Sequence, residues 1–356
     1  MDRAKSVLRL VMLALLLSVG ISACALQPLG KQAATSASEE LHVRLGYFPN
    51  LTHLVGLIGV EQGRFQEALG PSVHLSVTSF HAGPSALESL FEDEIDILYS
   101  GPNPAIVGYT KSHGEALRII AGATSAGSLF VVRPNAKITS AADLAGKKLA
   151  TPQLGNTQDI ALRSYLREHG LDSVENGGTV TIVPSQNADI FEAFQQGKID
   201  GAWLPEPWGS QLIEEGHGTL FLDEKSMWPN RSFVTSHVVV RSAFLDQHPD
   251  LVKAFLKGHV DTISYIQVNP EESKQIVNSE IERITGRAIP EAVLEQAYRN
   301  LETSYDPIAS SLFQSAEDAF TLGFLGQHPP DLRGIYDLDL LNEVLIEEGF
   351  QALPQP

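Results

Sequence analysis

From Leu41 onward, short apolar runs alternate with segments whose apolar positions recur at helical spacing. A short apolar run bounded by turn residues reads as a buried strand. Helical spacing reads as an amphipathic helix, and regular alternation of the two reads as a series of βα units. The strands this predicts are His42–Phe48, His74–Phe80, Ile95–Ser100, Leu117–Ala123, Leu129–Arg133, Lys148–Thr151, Thr179–Val183, Ile199–Leu204, Thr219–Leu222 and Ser236–Arg241. Thr52–Gln62 predicts a helix that stops at Gly63. Ser85-Ala86-Leu87-Glu88 matches a capping box, with Pro84 in the first turn. Asn156 or Thr157 is expected to cap a helix running to about His169, with Ile160, Ala161, Tyr165 and Leu166 on its buried face. After about Ala243 the pattern is almost wholly helical, from Pro249 through Glu347.

Two interruptions organise this series. Pro134-Asn135-Ala136-Lys137 is rich in turn residues, and Ile138 to Gly146 then begins a fresh βα run. A second break falls at Ser226-Met227-Trp228-Pro229-Asn230-Arg231. Two breaks enclosing one module predict a bilobal α/β protein whose chain crosses between lobes twice. Residues 41–133 and 237–356 are expected to form lobe 1 and residues 134–236 lobe 2, each a mixed sheet flanked by helices. Ligands in open parallel sheets bind beyond the carboxyl ends of the strands, which places the expected ligand in the cleft between lobes.

The stretch before Leu41 has a different character. Arg3, Lys5 and Arg9 precede an apolar run from Leu10 to Val19 and then Ile21-Ser22-Ala23-Cys24. A basic start, a short apolar stretch and small residues before the cut are what a secretory signal needs. The run is shorter than the roughly 20 residues that span a bilayer. Residues 1–23 are therefore expected to be a signal peptide. The segment resembles a lipobox, which implies a diacylglycerol thioether on Cys24, the only cysteine in the sequence. Residues 24–40, small and polar through Gly30–Ser38, read as a flexible tether. An extracytoplasmic, membrane-anchored lipoprotein is the expectation.

Composition narrows the chemistry. A net charge of -18 disfavours nucleic acid and anionic lipid headgroups as partners. With Cys24 lipidated, no thiol remains for a disulfide or a cysteine-based metal site. The 11 histidines are scattered, without a helical pair beside a carboxylate, so no metal and no cofactor is expected. Ala123-Thr124-Ser125-Ala126-Gly127 lacks the first glycine of a nucleophile elbow, and neither a P-loop nor a GxGxxG occurs. No catalytic residue is expected.

The strand-to-helix turns that would face the cleft are rich in Gly, Pro, Ser, Thr and Asn. They supply the candidate ligand residues: Phe48, Asn50 and Thr52; Ser79 and His81; Ser100 and Gly101; Thr124 and Ser125; Asn156 and Thr157; Trp203 and Glu206. Free N–H groups at helix starts, together with hydroxyls, suit the oxygens of a small organic anion and need no arginine. Phe48, Phe80, Trp203 and Trp208 are available as an apolar wall for a tail, or as core. Asp159 and Glu206 either pair with an amine or serve as an acidic first-turn residue and a turn or hinge residue.

Taken in order, Gly46-Tyr47-Phe48-Pro49-Asn50-Leu51-Thr52-His53, Gly101-Pro102, Gly155-Asn156-Thr157-Gln158-Asp159 and Trp203-Leu204-Pro205-Glu206-Pro207-Trp208 resemble the substrate-binding proteins of ABC importers for aliphatic sulfonates, taurine and nitrate. The resemblance runs from about Leu41 to Leu325. It implies a periplasmic-binding-protein fold of the type with two crossovers, and delivery of a loaded, closed protein to a membrane permease driven by an ATPase. It implies an aliphatic sulfonate or related anion as ligand. Taurine, nitrate, a thiamine-pyrimidine precursor and a ligand-sensing role are the alternatives. Enzymes of thiamine-pyrimidine synthesis share this fold family but need a cysteine-rich iron motif and a cofactor lysine. Cys24 stands alone, so an enzyme is not expected.

Overall fold

The computed structural model describes residues 41–356 except residue 82. The expected signal peptide (1–23), Cys24 and the tether (24–40) lie outside the described residues. Eleven strands occur among those described: β1 Leu41–Tyr47, β2 Val73–Ser79, β3 Ile97–Ser100, β4 Leu117–Ala126, β5 Ser128–Val132, β6 Lys148–Thr151, β7 Thr181–Pro184, β8 Gly201–Pro205, β9 Thr219–Asp223, β10 Val234–Arg241 and β11 Leu301–Thr303. All ten predicted strands are present, displaced at their ends by a few residues. β11 was not expected. It is three residues long, too short to show a period, and it forms only by pairing antiparallel with β4.

The strands build two mixed sheets, β11-β4-β10-β3-β1-β2 and β7-β6-β8-β5-β9. In the first, β1, β2 and β3 run parallel while β10 is inserted antiparallel between β3 and β4. In the second, β6, β7 and β8 run parallel and β5 is inserted antiparallel between β8 and β9. Each inserted strand is the one by which the chain arrives from the other sheet. The first passage is abrupt: β4 ends at Ala126 and β5 begins at Ser128. Ala126 and Gly127 both take the left-handed backbone, at φ 63° and 71°. A Cβ on Gly127 would lie 2.1 Å from the Leu301 side chain, so only glycine fits there.

Sheet membership thus changes at Gly127, ahead of the expected boundary at residue 133, and changes back at Val234, before residue 237. The reason is that β5 is one uninterrupted apolar strand belonging wholly to the second sheet. The turn residues Pro134–Ala136 are a 3-10 turn that leaves it.

Packing follows from side-chain alternation. In β5, Leu129 and Val131 face one side of the sheet, against Ile190, Phe194 and Leu212, while Phe130 and Val132 face the other, against Leu149, Leu162 and Trp203. β3 is buried at all four positions, the continuous apolar pattern of a strand covered on both faces. β2 is exposed at His74, Val77, Thr78 and Ser79, as an edge strand is. Helices after Ser242 pack on the first sheet through Val252, Phe255, Val260, Val277, Leu341 and Leu345. Among the described residues no helix is long and apolar enough to cross a membrane.

Two helix starts differ from expectation. The helix expected at Thr52 opens as a 3-10 turn at Leu51–His53 and continues as Leu54–Glu61. The helix expected to start with a capping box at Ser85 already begins at Gly83. Pro84 is preset for a first turn, which puts Ser85 inside the helix rather than at its cap.

Candidate ligand cleft

The carboxyl ends of the parallel strands of both sheets converge. Leu51, after β1, donates its N–H to the Glu206 carbonyl, after β8, at 3.2 Å. Gly101, after β3, lies so close to Thr157, after β6, that a Cβ on Gly101 would sit 2.5 Å from the Thr157 hydroxyl. The ends of β2, β6 and β7 border a cavity of about 490 Å³. His81 and Ser85, after β2, line it together with Pro152–Leu154, after β6, and Pro184–Asn187, after β7.

Most of the candidate hydroxyls and amides hold the loops in shape. Asn50 accepts from the Thr52 N–H and hydroxyl, fixing the turn after β1. The Thr124 hydroxyl donates to the Thr52 carbonyl at 2.7 Å, and Ser125 approaches Ser232 at 3.5 Å. Asn156 accepts from the Thr157 N–H at 2.9 Å and is the N-cap of the Thr157–Glu168 helix. Of the face expected to be buried, Ile160, Tyr165 and Leu166 are buried, while Ala161 is half-buried and Leu162 is buried instead. Phe48 is buried with its ring against His53, 4.3 Å between centroids.

Three candidates have surroundings of another kind, two of them the core and turn roles that stood as alternatives. Trp203 is not a cleft wall: it is fully buried, stacks on Phe130 and donates to Ser128 and Glu224 at 3.1 and 2.8 Å. Its position in β8 turns the ring into the second sheet's own core. Ser79 is exposed at the end of the edge strand, away from the buried contacts. Glu206 offers no free carboxylate: its oxygens accept from the Ser210 N–H (2.9 Å), the Ser210 hydroxyl (2.8 Å) and the Asn300 amide (2.6 Å). Burial pushes its carboxyl above the usual range, against the pull of those hydrogen bonds. Asp159 is similarly taken up, by the Thr151 hydroxyl, the Gly155 N–H and Arg163. His81 is exposed but does line the cavity.

Among the buried groups without a partner, those in or beside these loops are the hydroxyls of Ser100, Thr157 and Ser236, and Nδ1 of His53 and of His237. Strand pairing and packing link them only step by step. Ser236 pairs with Thr124, whose hydroxyl reaches Thr52, next to His53. Ser100 pairs with His237, and the adjoining Gly101 abuts both Thr157 and the Thr235 carbonyl. Buried polar groups are nearly always hydrogen-bonded, and leaving one unmade costs about 1–3 kcal/mol. The set is uncharged, since burial depresses the His53 imidazole to about 3.

The expected helix-start donors contribute less than their number implied. The N–H groups of Leu51, Thr52 and His53 already have acceptors. Pro102 and Pro104 remove two donors from the helix after Gly101. The sequence reading missed Ser236, Asn300 and the amides Gln153, Gln186 and Asn187 that line the cavity. Ser236 sits in an apolar strand and Asn300 far along the helical tail, so no local signal marks them. Among the described residues no group of His, Cys, Asp and Glu is placed to hold a metal.

Comparison with known proteins gives this arrangement relatives. Residues 36–280 match the NMT1-like family. The chain is 28% identical over 214 residues to the taurine-binding periplasmic protein of Escherichia coli (strain K12), covering 60% of this chain and 63% of that protein. It is 25% identical over 301 residues to a protein of Bacillus subtilis (strain 168) assigned as aliphatic sulfonates-binding, covering 83% and 85%. Among solved structures it resembles the alkanesulfonate-binding protein SsuA of Xanthomonas axonopodis pv. citri bound to MOPS, with a TM-score of 0.71, 17% identity, and coverage of 85% of this chain and 100% of that one. The desulfurization enzyme DszB has the same fold at a TM-score of 0.64 and 17% identity, covering 86% and 99%. The fold alone therefore does not separate binding from catalysis.

Proposed function

Because the chain belongs to the NMT1-like family, we propose that it is the extracytoplasmic solute-binding component of an ABC importer. It captures an aliphatic sulfonate or related small organic anion between two lobes and delivers it to a membrane permease and its ATPase. The lobes of this proposal are the two sheets with their helices, divided near Gly127 and Val234. Cys24 carries the lipid that tethers the protein, and the protein is a binding protein rather than an enzyme.

One observation carries the reading. The hydroxyls of Ser100, Thr157 and Ser236 are buried and unpartnered at the meeting of both sheets. Three hydroxyl donors match the three oxygens of a sulfonate. A hydrogen bond to a charged group contributes about 1.5–3 kcal/mol, and micromolar binding needs about 8 kcal/mol. Three such bonds span that requirement without a side-chain cation, the same logic as an anion held by neutral dipoles. Titration calorimetry against alkanesulfonates, taurine and nitrate tests it. A sulfonate is expected to bind at micromolar strength, and Thr157→Ala to weaken it by about tenfold or more. If no member of the panel binds, the anion reading falls.

A further inference from the structure

We infer that the cleft rejects a cationic ligand group, so that among sulfonates of one size it takes the hydroxyl-bearing one in preference to the amine-bearing one. This inference rests on the sulfonate reading above and sharpens it. An ammonium group taken out of water needs a carboxylate with open acceptor positions, or its desolvation goes uncompensated. Two carboxylates lie in the loops at the strand ends, Glu206 and Asp159, and both are fully buried and neither lines the cavity. Glu206 already accepts from Ser210 twice and from Asn300 once. Asp159 accepts from Thr151, Gly155 and Arg163, and its charge is matched by that guanidinium at 3.0 Å. A carboxylate has about four acceptor positions, so each retains at most one.

Reaching Glu206 would mean displacing Asn300, and that contact has a second role. Asn300 directly precedes β11 of the first sheet, while Glu206 directly follows β8 of the second. Their 2.6 Å hydrogen bond, with the Leu51 N–H on the Glu206 carbonyl, joins the two halves. An amine that took the carboxylate would loosen the contact that holds the halves together. A hydroxyl has no such conflict. The cavity offers Gln153, Ser185, Gln186 and Asn187, and no lining residue is an acid, a lysine or an arginine. The Asn187 carbonyl oxygen is itself buried without a donor.

The test is a calorimetric series on the purified protein with propane-1-sulfonate, 2-hydroxyethanesulfonate and taurine, which share the two-carbon sulfonate and end in a methyl, hydroxyl or ammonium. Taurine is expected to bind at least about tenfold more weakly than 2-hydroxyethanesulfonate. Asn300→Ala, which opens an acceptor position on Glu206, is expected to narrow that ratio. Glu206→Gln is expected to weaken all three ligands by a similar factor. Taurine binding as tightly as its hydroxyl analogue, or a loss confined to taurine in Glu206→Gln, overturns the inference while leaving the sulfonate reading intact. Failure of all three to bind overturns both.

Discussion

At the residue scale, the polar side chains of the cleft divide by whether another protein group already satisfies them. Asn50, Thr124, Asn156, Asp159 and Glu206 are structural because each has its partner within the fold. Ser100, Thr157 and Ser236 have none. Residue type could not make this division, since a serine is a cap, a strand hydroxyl or a ligand donor according to its surroundings. Trp203 shows the same limit, because its indole is fixed by Phe130, Ser128 and Glu224. Glu224 itself yields a prediction. Burial pushes its carboxyl up from 4.5 to about 7, so the folded state keeps a proton that the unfolded state loses. Its contribution is complete below pH 4.5 and falls away as pH rises to about 7. Glu224→Gln removes that loss. Urea unfolding is expected to show the variant gaining up to about 3 kcal/mol on the parent across this interval. A difference that stays flat with pH would show that Glu224 does not titrate in this way.

At the scale of elements, the strands were legible because each needs only a few consecutive apolar residues, and burial on one or both faces then reinforces the local preference. The Thr157 helix was legible for a different reason: its cap, Asn156, acts over a single residue. Replacing that cap with alanine is expected to lower stability by about 1 kcal/mol, read from the midpoint of denaturant unfolding with its slope unchanged. A loss of several kcal/mol would mean that Asn156 supports more than its own helix. Elements defined by distant partners were not legible. β11 depends on β4, and Gly83, where the helix starts, is seated against Pro104. The donors of the Leu51–His53 turn were predicted open, but Glu206 and Asn50 occupy them.

At the scale of the molecule, two sheets with one inserted strand apiece bring the ends of β1, β2, β3, β6, β7 and β8 to one place. The chain's net charge of -18 does not oppose anion capture there, because surface charge is largely screened beyond about 8 Å at physiological salt. The proposed anchor is the other property of the whole. Cys24→Ala is expected to move the protein from the membrane fraction to the soluble extracytoplasmic fraction, followed by immunoblot. Retention of the variant in the membrane would contradict lipidation at Cys24. The sequence by itself determined the strand series, the two-sheet α/β class and the family resemblance, because each is written in local patterning or in the order of short motifs. Only the tertiary structure decided which hydroxyls are left without partners, where Trp203 points and that Glu206 is held by Asn300. Those are matters of hydrogen-bond completeness, and a buried group's partners come from chain segments far away in sequence.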